Sequence, residues 1–181
     1  MKRAIVTPAT LASSALAELK DWLGITTSAD SAQLGTLLRV GLEACEDFTG
    51  IMPLQQVCEA VLPVSGDWQV LATRPVQAIT ALEGIPAEGS RFALPLGSYE
   101  FELDADGGGR VRILNPGAAG RIAVRFTAGL AAGWSGLPEA LRHGVLRLAA
   151  HHYRTREDSA GDAPPAAIAA LWRPWRRLRL A

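Results

Sequence analysis

Tyr99-Glu-Phe-Glu-Leu-Asp-Ala-Asp-Gly-Gly-Gly-Arg-Val-Arg-Ile-Leu114 decides the architecture of this chain. Tyr99, Phe101 and Leu103 alternate with Glu100, Glu102 and Asp104, the two-residue period of a strand with one wet face. Asp106-Gly107-Gly108-Gly109 supplies a tight turn, and Arg110–Leu114 resumes the alternation. Two strands joined so closely must run antiparallel, since a parallel crossover needs a dozen or more residues. Outward from this hairpin, Leu54–Leu62, Trp68–Leu71, Ala78–Leu82 and Ile122–Phe126 also read as strands. Pro63-Val-Ser-Gly66, Arg74-Pro75 and Asn115-Pro116-Gly117 separate them, and Ala87–Leu96 reads as an exposed loop. The middle of the chain is thus predicted to be an antiparallel β-meander.

Helical periodicity flanks it on both sides. Leu16, Leu19 and Leu23, with Trp22 beside them, give a short helix over 14–23, capped by Ser13 or Ser14 and stopped by Gly24. Asp30 with Gln33 resembles a capping box. The stripe Leu34, Leu37, Leu38, Leu42, Cys45 and Phe48 then carries a helix over 30–49 to Gly50, with Gly41 on the stripe permitting close approach of another backbone. After Gly133-Trp134-Ser135-Gly136, Pro138 opens a helix over 138–156 with Leu141, Val145, Leu148, Ala149 and His152 inward. A last helix over 165–173 is predicted to break at Pro174. Leu37, Leu38, Leu42, Cys45, Leu141, Val145 and Leu148 are the expected helical core. The fold class is therefore α+β: a helical bundle with an inserted antiparallel β-meander and a C-terminal tail. Residues 1–158 read as one domain, with helices in 14–49 and 138–156 and the β insertion over 52–127. Residues 159–181 read as a polar hinge and the tail.

Composition bounds the function. Of 181 residues 49% are hydrophobic and 20% charged, which suits a folded domain with a real core. Net charge is zero but unevenly placed: from Glu139 onward eight arginines meet four acids, so the first 138 residues hold ten basic and fourteen acidic side chains. An acidic body with a basic end suits head-to-tail association. Cys45 and Cys58 are too few and too far apart for a metal site or disulfide framework. No run reaches the length of a membrane span.

Enzyme chemistry finds no constellation. His151 and His152 are neighbours on a helix and project about 100° apart, unlike the i, i+4 spacing of metal ligands. Asp106-Gly-Gly-Gly-Arg110 lacks the Lys-Ser/Thr pair and following helix of a phosphate loop. No serine sits in a nucleophile elbow. The expectation is no catalytic residue, no metal ligand and no cofactor.

The C-terminus is unusual. Ala166-Ala-Ile-Ala-Ala-Leu-Trp-Arg-Pro-Trp-Arg-Arg-Leu-Arg-Leu180 holds two tryptophans and four arginines and no acid. Trp and Arg are enriched where a partner buries a surface. Two readings stand: a docking tail, or an amphipathic helix folded back on its own domain. The docking reading names Leu171, Trp172, Arg173, Trp175, Arg176, Arg177, Arg179 and Leu180, with the rings in apolar pockets of the partner.

Taken in order, several segments resemble the head–tail connector, or adaptor, proteins of long-tailed phages and phage-derived gene transfer agents. They are Leu16-Ala-Glu-Leu-Lys-Asp-Trp-Leu-Gly-Ile25, Leu42-Glu-Ala-Cys-Glu-Asp-Phe-Thr-Gly50, Arg74-Pro75-Val76, Val124-Arg-Phe-Thr-Ala-Gly129, Leu137–Glu157 and Leu171–Leu180. The resemblance implies a ring of identical subunits beneath the portal, dodecameric if it follows portal symmetry. Such a ring extends the DNA channel without recognising sequence and joins the capsid to a stopper or tail protein. It implies a protein made in the bacterial cytoplasm and carried in the virion or phage-like particle, with no membrane, catalytic residue or cofactor. The competing reading is a nucleic-acid-binding module that uses the Arg/Trp tail.

Overall fold

The computed structural model describes residues 3–155 and 163–176. The chain divides into two units. Thr10–Leu54 with Leu130–Ala181 forms the helical unit, and Gln55–Gly129 with Met1–Ala9 forms the β unit.

In the helical unit, α1 spans Ser13–Leu23, α2 Ser31–Thr49, α3 Glu139–Thr155 and α4 Ala166–Trp172. Gly24 and Gly50 end α1 and α2 in the left-handed region, at φ 70° and 73°, which glycine adopts without a Cβ clash. The expected caps differ. Ala12, not a serine, precedes α1, and Asp30 makes no cap hydrogen bond. Instead its Oδ2 accepts the Tyr153 hydroxyl at 2.7 Å, tying the start of α2 to the end of α3.

The buried stripe of α2 is Leu34, Leu38, Gly41, Cys45 and Thr49. Leu37 and Leu42, expected in the core, lie half-buried on its flank. The reason is Gly41: a Cβ there would meet Val145 Cγ1 at 3.1 Å and Val145 O at 3.2 Å. The backbones of α2 and α3 approach so closely that the contact line runs through the glycine rather than through the larger leucines. α3 is central, with Leu141, Gly144, Val145, Leu146, Leu148, Ala149 and Ala150 all buried. Burial, then the neighbouring Glu46, push the Cys45 thiol up to about 12 against a hydrogen bond with Thr49, so it stays a protonated apolar side chain.

Among the described residues the β unit holds eight strands: β1 Arg3–Thr7, β2 Gln56–Pro63, β3 Gln69–Val70, β4 Val76–Pro86, β5 Phe92–Ala93, β6 Tyr99–Leu103, β7 Gly109–Ile113 and β8 Ala119–Ala128. They form a five-stranded sheet ordered β1-β2-β8-β4-β5 and a three-stranded sheet ordered β3-β7-β6, with every named pair antiparallel. The antiparallel expectation holds, whereas the order is not that of a meander. β8 inserts between β2 and β4, because Ile122, Val124 and Phe126 complete an apolar face with Cys58, Ala60, Leu62 and Leu82. Two further strands lie outside the sequence expectation. β1 pairs with β2, and the expected loop 87–96 contains β5, whose Phe92 covers Gly84 while Leu94 is buried.

Candidate partner-binding surface

The C-terminal segment is built from Pro165 onward. Its carbonyl accepts the N–H groups of Ile168 and Ala169 at 2.8 and 3.0 Å, starting α4. One face of α4 carries Ile168 and Trp172, both buried, and the other carries the exposed Ala166, Ala167 and Ala170. The Trp172 indole N–H donates to the Leu141 carbonyl at 3.4 Å, and its ring lies 6.0 Å from that of Phe48. The same ring covers Gly144, where a Cβ would overlap it. Trp172 is 0% exposed. It packs within its own subunit, where the docking reading placed it in a partner's pocket. A 6.0 Å ring pair and a glycine socket are the contacts of a core side chain.

Beyond Trp172 the helix tightens to a 3₁₀ turn over Arg173–Trp175, and Arg176 is extended at φ −69°, ψ 122°. The break expected at Pro174 does not fall there: Arg173 keeps helical geometry at φ −54°, ψ −40°, and Pro174 sits inside the 3₁₀ turn, near whose start its missing N–H is not needed. Arg173 and Arg176 are exposed, and Leu171 and Trp175 are half-buried. The Arg176 guanidinium lies 5.5 Å over the Phe48 ring. Arg177, Arg179 and Leu180 lie outside the described residues. The segment thus presents a cationic, partly apolar surface, held in place by one buried indole.

Beside it opens a cleft of about 580 Å³, lined among others by Asp47, Phe48, His151, His152, Pro165 and Arg176. Burial, then the adjacent His151, push the pKa of His152 below its usual 6.5, so the imidazole favours its neutral form. Among the described residues no group of three or more His, Cys, Asp or Glu could hold a metal ion.

A second charged surface lies in the β unit. Arg112 Nε donates to Glu100 at 2.8 Å and Arg110 Nε to Glu102 at 2.9 Å, directly across the β6–β7 hairpin. The Arg110 and Arg112 guanidinium groups stack on Trp68, at 5.0 and 4.8 Å from the ring centroid respectively. The face that reads as acidic from β6 alone is therefore neutralised by β7. The signal is the alternation Arg110-x-Arg112 opposite Glu100-x-Glu102, which the turn brings into register.

No family model and no curated protein matches the chain. Solved structures do. A chain in the "Neck of empty GTA particle computed with C6 symmetry" is 31% identical, with TM-score 0.79, covering 100% of this chain and 98% of that one. One in the "Virion of native gene transfer agent (GTA) particle" is 31% identical at TM-score 0.75, with the same coverage. A third, from the "Neck of native GTA particle computed with C12 symmetry", is 30% identical at TM-score 0.76 and again spans both chains. A likeness of sequence and fold over the full length sets the chain in the phage-like particle: it belongs to the family of structural proteins of the neck of gene transfer agent particles.

Proposed function

We propose that this chain is the head–tail connector, or adaptor, of such a particle. A ring of identical copies sits beneath the portal, continues its channel so that DNA passes without sequence readout, and offers a platform to a stopper or tail protein. The observation that carries this reading is the end-to-end match to neck chains in structures computed with C6 and C12 symmetry. The twelvefold case supports a dodecamer matched to the portal. A heterologous contact repeated about an axis closes such a ring through two unlike faces of each copy.

The C-terminal segment is the proposed contact to the portal or a neighbouring subunit, with its parts divided. Trp172 and Ile168 anchor α4 on their own subunit. Arg173, Arg176 and the half-buried Leu171 and Trp175 meet the partner; Arg177, Arg179 and Leu180, which lie outside the described residues, are included in the proposed contact on their sequence alone. The nucleic-acid reading has less support, because one of its two stacking rings is interior and Arg110 and Arg112 already have carboxylate partners.

Producing particles without this chain tests the proposal. The expected result is filled heads lacking tails, with one ring layer missing from the neck. Particles that keep normal tails would overturn it.

A further inference from the structure

A charged side chain on a helix surface can be answered by an opposite charge one turn away or on the next element. Arg142 is answered in both ways, by Glu139 and by Glu18. Two helix faces in the helical unit carry charges with no such answer. The first runs along α3, where His143, Arg147, His151 and Arg154 follow at steps of four, four and three residues and so share one side. Arg147, His151 and Arg154 line a cleft of about 240 Å³ together with Trp22 of α1, and no acid among the described residues lines it. Arg147 is half-buried, yet neither it nor Arg154 has a carboxylate at ion-pair distance among the described residues. Trp22 stands edge-on to His143 at 5.3 Å and is 46% exposed.

The second face belongs to α2. Thr36, Val40, Glu43 and Asp47 recur at steps of four, three and four residues, on the side of the helix opposite its buried stripe. All four are exposed, Val40 by 41%. Glu43 and Asp47 have no cation at ion-pair distance among the described residues. Arg39, one turn before Glu43, donates to the Thr36 hydroxyl instead.

We propose that in the ring the outer face of α2 of one copy docks on the α3 cleft of the next, with Val40 against the open Trp22 ring and Glu43 and Asp47 against Arg147, His151 and Arg154. The inference rests on the ring reading above and names its subunit contact. The charges are opposite and uncommitted on both sides, so neither face gives up an internal ion pair on docking. Glu43 and Asp47 are four residues apart, as are Arg147 and His151, which is about 6 Å along either helix. Each face also sets one large exposed apolar side chain beside its charges, the pattern of a small dry contact with a polar rim. Val40 precedes the acids as the Trp22–His143 pair precedes Arg147, so the two helices align with the same polarity. The faces are unlike, as a contact that closes a ring requires. A DNA backbone would meet the arginines but would leave Val40, Glu43 and Asp47 without a role.

Charge reversal in assembling particles tests the contact. Arg147→Glu with Arg154→Glu, and separately Glu43→Lys with Asp47→Lys, should each lower occupancy of the neck ring about tenfold or more, and one chain carrying all four changes should recover it. Thermal unfolding of each lone chain checks that it still folds. Where a reversal spoils folding, a benzophenone-bearing residue in place of Val40 decides: the expected product is a ladder of multiples of this chain, with the neighbour's Trp22 peptide linked. Full occupancy after the α2 reversal, no recovery in a folded chain with all four changes, or crosslinks from position 40 only to another protein overturn the contact and leave the ring reading standing. A loss confined to the α3 reversal overturns it as well and assigns the cleft to another anion, such as the DNA backbone. If the unaltered chain is absent from the neck, both readings fall together.

Discussion

Trp172 and Phe101 are both large aromatic side chains on peripheral elements, and the fold treats them in opposite ways. Trp172 ends a seven-residue helix, yet its ring is sealed over Gly144 and beside Phe48. Phe101 sits mid-strand in the β unit, yet nearly half its surface is open. The difference lies in what the neighbouring backbone offers. α3 supplies a socket, a glycine whose missing side chain admits an indole. β7 supplies Val111 on one side of β6 and nothing in the described residues supplies a strand on the other. Whether an aromatic side chain is buried thus follows from what the neighbouring backbone offers, and a stretch whose sequence looks most like a docking tail can hold a core residue.

The largest effect should come from emptying the socket. Trp172→Ala should lower stability by about 3–5 kcal/mol, because it removes a fully buried aromatic. Denaturant unfolding of the lone chain measures this, and a loss near zero would return Trp172 to the surface. Filling the socket from the other side comes next. Gly144→Ala should cost about 1–3 kcal/mol through overpacking, since the new methyl overlaps the indole. Its tryptophan fluorescence should shift red as the ring is displaced. Phe101→Ala should change the stability of the lone chain by about 1 kcal/mol or less, as a half-exposed edge residue does. A cost equal to that of Trp172→Ala would erase the contrast.

The smallest effect concerns pH. The folded-state pKa of His152 lies below 6.5, so its neutral form favours the fold. That contribution is fully present above pH 6.5 and is lost as pH falls through the lower, folded value, where the unfolded chain has already taken up the proton. The melting temperature should drop modestly from pH 7 towards pH 5.5, and His152→Asn should flatten the drop. An unchanged slope would assign it to other groups.

Much of the helical unit was legible because its signals are local. The 3.6-residue stripe and the glycine stops each act within a few residues. What was not legible depended on distance. The choice of Leu34 and Leu38 over Leu37 and Leu42 follows from Gly41 meeting Val145, over a hundred residues away. Likewise β8 lies beside β2 across the whole insertion, and no turn signal announces such pairing. β1 and β5 escaped notice because short edge strands carry little alternation of their own. In the C-terminal segment, Trp and Arg enrichment flagged the right stretch but could not say which ring faces inward. Gly144, one helix earlier, holds that answer, since only a residue without a Cβ admits an indole there.

The most direct measurement is a reconstruction of the particle neck with this chain carrying a compact fusion at its N-terminus. The account predicts extra density in a closed ring between portal and tail, repeated with the portal's symmetry, twelve copies for a twelvefold portal. Extra density in the capsid shell or along the tail tube, or an isolated twofold pair in the neck, would contradict it.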